Sequence, residues 1–239
     1  MPETATIPPS TEPPAPKPPL LSREVVAEFY LHGEGIEIGA LHNPLKVPGH
    51  LKVRYVDRMT ETDLRLQYPE LAASPLVHVD VIDDGEKLTT VAAQSQDFVI
   101  ANHFLEHSQD PIGTIKNLMR VLKPGGILYM AVPDKRYTFD RDRPITSFQH
   151  LLDDHKNGPA ATKRGHYEEY ARLVNRASGP GLEVEMKKLL DMDYSIHFHV
   201  WDKKALTEFL NNMQDPLGFD LVFSMQIDIE VLNILKKRS

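Results

Sequence analysis

"EIGALHNPL", residues 37–45, decides the fold. The apolar residues around it, Ile36 and Ile38, read as a short buried strand. That strand delivers a carboxylate at Glu37 and a glycine at Gly39. This is the order in which a strand feeds a ligand-binding turn at its carboxyl end. A pyrophosphate-binding turn carries further glycines, because the backbone must approach the phosphates closely. Here Leu41, His42, Asn43 and Pro44 stand in those places. The turn suits a ligand that has no pyrophosphate.

The same rhythm continues outward. "LKVRYVDRM" reads as a second strand ending at Asp57, and "LVHVDVIDD" as a third ending at Asp83 and Asp84. "QDFVIANHF" is a fourth, with the unbroken apolar run of residues 98–101 expected where both faces are buried. "ILYMAVPD" is a fifth. "LLSREVVAEFYLHG" predicts a helix before the first strand, stopped at Gly33, and "TETDLRLQYPELA" another after the second. "DPIGTIKNLMRVLKPGG" is the clearest helix. Asp110 is its N-cap, Pro111 its first-turn residue, and Ile112, Ile115, Leu118, Met119 and Leu122 its apolar stripe. Pro124, Gly125 and Gly126 are expected to end it. Alternating strands and helices imply a doubly wound, Rossmann-like α/β sheet with right-handed crossovers.

After Asp134 the rhythm breaks. Residues 135–195 hold three helical pieces and no strand, which predicts a helical lid insertion on the substrate side. "SIHFHVW" is extended, a helix starts at Asp202, and "FDLVFSMQI" and "IEVLNILKK" supply two closing strands. Residues 1–19 are a proline-rich leader, expected to be disordered, because proline fixes φ and lacks an amide donor. Residues 20–239 form the domain.

The 239 residues suit one α/β domain with an insertion. A net charge of −7 with no basic stripe argues against a nucleic-acid partner. The absence of cysteine excludes disulfides, thiolate nucleophiles and zinc–cysteine sites. No apolar run reaches membrane-spanning length and no signal peptide is visible, so a cytoplasmic protein is expected.

Glu37, Asp57, Asp83, Asp84 and Asp134 all fall at strand ends, where open α/β sheets bind ligands. Several carboxylates around one crevice disfavour a polyphosphate. Asp57 is placed to accept from a ribose diol, Asp83 or Asp84 from an adenine amino group, and Glu37 to balance an ammonium or order water. This set describes S-adenosylmethionine better than NAD. The succession "IEIGA", "YVDRM", "VIDDGEKL", "DFVIANHFLEH" and "VLKPGGILYMAVPD" resembles the class I S-adenosylmethionine-dependent methyltransferases over residues 33–134, and more loosely from Ser195. The resemblance implies a seven-stranded sheet whose last strand is antiparallel. It implies that Glu37, Gly39, Ala40 and Leu41 meet the methionine part of the cofactor. It puts Asp57 and Arg58 at the ribose, Asp83 or Asp84 at the adenine, and Asn102 and His103 along the pocket. Leu41 and Asn43 depart from the glycines common in the family. "EIGALHNPL" and "PDKRYTFDRDRP" are also similar to methyltransferases of glycan or cell-surface biosynthesis.

Methyl transfer to a hydroxyl needs a base, and histidine is the usual one near neutral pH. His103 is expected to face the methyl. His107 with Glu106 is expected to buttress the following helix. His197 and His199 alternate, so a strand would put them on one face as bases, metal ligands or a satisfied interior pair. Asp134, Arg136, Arg141 and Arg143 border the acceptor side and could hold a phosphate or carboxylate, or pair among themselves. Asp153, Asp154 and His155 are adjacent on a helix and point different ways, so no metal is expected. The leading reading is an O-methyltransferase for a polar or anionic small molecule or sugar. N-methylation on the same fold and a non-catalytic binding protein are the alternatives. Together Glu37, Asp57 and Asp83 argue against the latter. The missing G-x-G-x-x-G argues against an NAD-dependent oxidoreductase.

Overall fold

The computed structural model, which describes residues 21–239, has a seven-stranded sheet in the order β3 (Val81–Ile82), β2 (Lys52–Asp57), β1 (Glu34–Ile38), β4 (Gln96–Ile100), β5 (Leu122–Pro133), β7 (Glu230–Lys237), β6 (Phe219–Ile227), with β1 third from one edge. The proline-rich leader lies outside the described residues. β1 pairs in parallel with β2 (Lys52–Asp57) and β4 (Gln96–Ile100). Gly35 lies opposite Phe98, and a Cβ on Gly35 would stand 2.3 Å from the Phe98 carbonyl oxygen, so only glycine allows this approach. β4 pairs in parallel with β5 (Leu122–Pro133), and β2 with β3 (Val81–Ile82). β7 (Glu230–Lys237) runs antiparallel to β5 and to β6 (Phe219–Ile227). The architecture is the seven-stranded mixed sheet expected.

Strand alternation divides the core into two layers. Val99, Ala101, Leu128, Met130 and Val132 face α3 (Pro111–Val121) and α7 (Lys203–Leu217). Phe98, Ile100, Ile127, Tyr129 and Ala131 face α1 (Arg23–Tyr30). Asp110 caps α3 by accepting from the Gly113 amide at 2.9 Å.

Two boundaries differ from expectation. Only two residues of "LVHVDVIDD" form a strand, because the Asp80 side chain takes the Tyr55 amide at 2.8 Å and replaces the ladder bond there. Helix α3 ends at Val121, since Leu122 is already extended and opposite Gln96. Pro124, Gly125 and Gly126 therefore lie in the irregular start of β5 rather than ending the helix.

Residues 135–195 contain α4 (Phe148–Asn157), α5 (Ala160–Leu173) and α6 (Pro180–Asp191), after two 3₁₀ turns. α2 (Glu61–Gln67) precedes β3. Residues 195–201 return as a buried strap, not a strand of the sheet. The Phe198 and His199 amides donate to the Glu106 carbonyl at 2.7 and 3.2 Å, and only Trp201 forms a bridge, with Asp134. Among the described residues no helix is long and apolar enough to cross a membrane.

Candidate active site

The carboxyl ends of β1, β2, β3 and β4 open into a cleft of about 690 Å³. Gly39, Leu41, Asp57, Arg58, Asp83, Asp84 and His103 line it from the sheet. Tyr167 of α5, then Asp193, Tyr194, Ser195 and Phe198, line it from the insertion and strap.

The turn after β1 answers for its missing glycines. Gly39 has φ +63° and Leu41 φ +50°. Leu41 thus takes the left-handed conformation that glycine adopts freely, at a cost of about 1–2 kcal/mol. Three backbone bonds hold it there: Gly39 N to Val56 O (3.0 Å), Asn43 N to Ala40 O (2.9 Å) and Val77 N to Leu41 O (2.8 Å). Ala40 turns away from the cleft, toward Tyr55, Leu64 and Val77.

Below the turn, Glu37 is 2% exposed. Its Oε1 accepts from the Leu45 amide at 2.9 Å, and its Oε2 has no hydrogen-bond partner among the described residues. Burial pushes its pKa up to about 7. A buried carboxylate oxygen without a donor fits a ligand that brings an ammonium or a bridging water. Burial also raises the Asp57 carboxyl, whose Oδ1 takes the Arg58 amide at 2.7 Å. Arg58 reaches the other wall, donating to the Tyr68 hydroxyl at 3.0 Å and lying 4.0 Å from Asp193 Oδ2.

The two acids after β3 differ. Asp83 accepts from the Asp84 amide (2.8 Å), Thr89 Oγ1 (3.0 Å), and the Thr90 amide and hydroxyl (both 2.7 Å). Burial works to raise its pKa, but these bonds hold it below the ordinary value. Its lone pairs are spent on shaping the next turn. Asp84 is exposed and holds Lys87 at 2.6 Å and the Glu86 amide at 2.9 Å.

After β4, Asn102 Oδ1 accepts from the Ala131 amide at 3.1 Å, while its Nδ2 is buried with no partner among the described residues. His103 has φ +49° and is partly exposed. Its Nε2 lies 2.5 Å from Glu230 Oε2 and its Nδ1 3.6 Å from Glu106 Oε1. Burial disfavours the charged imidazole, but Glu230 and Glu106 outweigh it and raise the pKa above the ordinary value. Glu106 is fully buried with neither oxygen hydrogen-bonded among the described residues, and burial raises its pKa.

His107, read from sequence as a buttress, also lines the cleft. Its Nδ1 donates to the Ile196 carbonyl at 2.9 Å. Burial, then the neighbouring His197, lowers its pKa to about 3, so it stays neutral. His197 and His199 do not line the cleft. They enter two separate buried clusters instead of sharing one open face. His197 Nδ1 lies 2.6 Å from Asp140 Oδ2, and His199 sits between the Ser108 carbonyl and Asp154.

The charged run after β5 also stands off the cleft. Asp134 is fully buried; it takes Arg136 Nε at 2.9 Å, Arg136 Nη2 at 2.6 Å and the Lys203 amide at 3.1 Å. Arg141 is exposed. Arg143 is 2% exposed and bonded to Asp140 Oδ1 (2.8 Å), Glu169 Oε1 (2.9 Å) and the His197 carbonyl (2.8 Å). The self-paired alternative describes Arg136 and Arg143, with the second pairing buried rather than solvated. Tyr68, Glu70, Glu86, Tyr167 and Tyr194 complete the cleft without having been singled out in the sequence. No local spacing marks them, because distant segments bring them together.

The chain matches the family described as a methyltransferase domain over residues 22–214. No curated protein matches it in sequence. Among solved structures it is similar to a Rhodobacter sphaeroides protein provisionally named a zinc-dependent alcohol dehydrogenase, with 16% identity over 86% of this chain and 84% of that one and a TM-score of 0.51. It is also similar to an S-adenosylmethionine-dependent methyltransferase from Methanosarcina mazei (18% identity, 88% and 95% covered, TM-score 0.48). The CurJ carbon methyltransferase is a third (14% identity, 86% of this chain, TM-score 0.47), and the chain spans 48% of its length. Identities this low speak to the fold alone, and nothing in these matches carries the likeness to glycan or cell-surface enzymes. The family match covers most of the chain: it belongs to the methyltransferase domain family, as an S-adenosylmethionine-dependent methyltransferase domain.

Proposed function

We propose that this domain moves the methyl group to a hydroxyl oxygen of an uncharged or cationic small molecule, a sugar or another polyol, with His103 as the general base. The observation that carries this is the His103–Glu230 pair at the cleft end of β4, 2.5 Å apart. With Nε2–H donated to Glu230, the Nδ1 lone pair is free to accept a proton from a hydroxyl. Glu230 and Glu106 then stabilise the imidazolium. S-adenosylmethionine, when bound, supplies an electrophilic methyl. Asp57 holds its ribose diol, Glu37 its ammonium, and Asp84 its adenine amino group, since Asp83 is already saturated. The insertion covers the cleft and keeps water from the reacting atoms.

The charge of the cleft lining supports an acceptor that is not an anion. Asp57, Glu70, Asp83, Asp84, Glu86 and Asp193 line the cleft with Arg58, its one arginine among the described residues. The arginines expected to hold an anion lie elsewhere, so an anionic acceptor loses its support. The acidic lining equally favours an amine acceptor, which is the second reading.

The test is label transfer from methyl-labelled S-adenosylmethionine to a panel of polyols, amines and carboxylates. Label is expected on hydroxyl oxygens. His103→Gln should cut that rate by about 10²-fold or more, while S-adenosylhomocysteine affinity stays within a few-fold. Label on amines that survives His103→Gln would replace this reading with N-methylation.

A further inference from the structure

We propose that His150, Asp154, His166 and His199 form a tetrahedral Zn²⁺ site that pins the helical insertion to the strap of residues 195–201. The four side chains come from three places. His150 and Asp154 are one turn apart on α4, so they share a face. His166 comes from α5 and His199 from the strap. Their donor atoms all lie within 4.8 Å of one another.

The distances fit one ion. His150 Nε2 is 3.1 Å from His166 Nε2 and 3.2 Å from Asp154 Oδ2. His199 Nε2 is 3.1 Å and His166 Nε2 3.7 Å from the same Oδ2. Metal bonds of roughly 2.0–2.1 Å arranged tetrahedrally separate neighbouring ligands by about 3.3 Å. The four measured edges bracket that value.

Hydrogen bonding alone makes this cluster costly. His199 Nδ1 is 2.9 Å from the Ser108 carbonyl, which can only accept, so the proton sits on Nδ1. A neutral His199 then turns the Nε2 lone pair at a carboxylate oxygen. His150 and His166 present a nitrogen each to that same oxygen and to one another. Hydrogen bonds here would need a charged imidazolium at His199 and further N–H groups of His150 and His166 crowded at the same oxygen, in a place where Asp154 and His199 are at most 1% exposed. One divalent cation accepts all four lone pairs together.

The outer contacts match a metal centre as well. The His199–Ser108 bond fixes both ring orientation and tautomer, and Thr162 Oγ1 donates to Asp154 Oδ1 at 2.6 Å. Three imidazoles and one carboxylate, without thiolate, suit zinc rather than an oxygen-seeking ion such as Mg²⁺ or Ca²⁺. Four protein ligands make the site structural. The neighbours of Asp154 in sequence take no part: Asp153 bonds Gln149 at 2.9 Å and His155 bonds Asp110 at 2.9 Å.

The full-length protein is to be equilibrated with Zn²⁺, freed of excess by gel filtration, and its metal content measured beside a His150→Ala/His166→Ala double variant and a His155→Ala control. The wild type and the control should hold about one Zn²⁺ per chain more than the double variant. Co²⁺-loaded wild type should show the intense visible bands of a tetrahedral ion, lost in the double variant. Equal zinc in wild type and double variant would overturn the site, as would a weak octahedral Co²⁺ spectrum. Should the double variant not fold, His150→Ala alone, at the most exposed of the four ligands, takes its place in both measurements, and retention of zinc and of the tetrahedral spectrum there would overturn the site.

Discussion

If Glu37 meets the ammonium of the cofactor as proposed, binding and stability pull apart there, and Glu37→Gln tests the conflict. Its carboxyl is buried, one oxygen has no partner among the described residues, and its pKa stands at about 7 against an ordinary 4.5. That difference corresponds to roughly 3 kcal/mol. The sign follows from proton binding. Between the two values the native carboxyl holds a proton that the unfolded chain has released. The stability this confers is fully present below the unfolded pKa near 4.5 and is lost as pH rises through about 7. At about pH 8 the cofactor-free domain therefore carries a buried carboxylate at nearly the full cost. Glutamine keeps the shape and removes the charge.

Urea unfolding of wild type and Glu37→Gln, near pH 5 and near pH 8, measures this directly. The variant should gain on the wild type by up to about 3 kcal/mol between the two conditions. Titration with S-adenosylhomocysteine should show the converse. Wild-type affinity should strengthen as pH rises through about 7, because the ammonium of the ligand selects the ionised carboxyl. The variant should bind weakly and without that pH dependence. A stability difference that does not change with pH would show that burial does not raise this carboxyl. Equal affinity of the two proteins near pH 8 would remove Glu37 from the cofactor.

Asp57→Ala should weaken S-adenosylhomocysteine binding by about tenfold or more in calorimetry, since hydrogen bonds to a charged group contribute about 1.5–3 kcal/mol; unchanged affinity would refute its role at the diol. Arg143→Met should destabilise the domain by about 3–5 kcal/mol, because it removes the buried cation between Asp140 and Glu169 and leaves Asp140 with His197 alone. A stable Arg143→Met protein that loses acceptor turnover instead would make Arg143 a substrate residue.

The sheet and its strand ends were legible because both depend on local pattern. Alternation, turn residues and motif order placed Gly39, Leu41, Asp57, Arg58, Asp83, Asp84 and His103 at one cleft. The histidines were not legible in the same way. "SIHFHVW" alternates like a strand, but its amides bond to the Glu106 carbonyl rather than to a neighbouring strand. No pleat then obliges His197 and His199 to share an environment. The arginines were misleading for a related reason. Two 3₁₀ turns, Lys135–Tyr137 and Phe139–Asp142, fold "DKRYTFDRDRP" back on itself, so Arg143 points inward to Glu169 of α5. Asp154 shows the limit most plainly. Its immediate neighbours point different ways, while the histidines it meets lie four residues back, on the next helix and on the strap.

The insertion explains why so much polar chemistry sits outside the cleft. Its own apolar cluster consists of Tyr167, Ala171, Met186, Leu189, Ile196 and Phe198, shared among α5, α6 and the strap. A core that small supplies little of the burial needed to order three helices, and small units of structure compensate with staples. Here the staples are the Arg143–Asp140–Glu169 network and the His150–Asp154–His166–His199 cluster, both closed on the strap through His197 and His199. The strap in turn supplies Ser195 and Phe198 to the cleft and pairs Trp201 with Asp134 after β5. Tyr167 carries both duties: it belongs to that apolar cluster, lines the cleft, and donates its hydroxyl to the Tyr194 carbonyl at 2.9 Å. A substitution at Tyr167 therefore disturbs the packing of the insertion as well as the wall of the cleft.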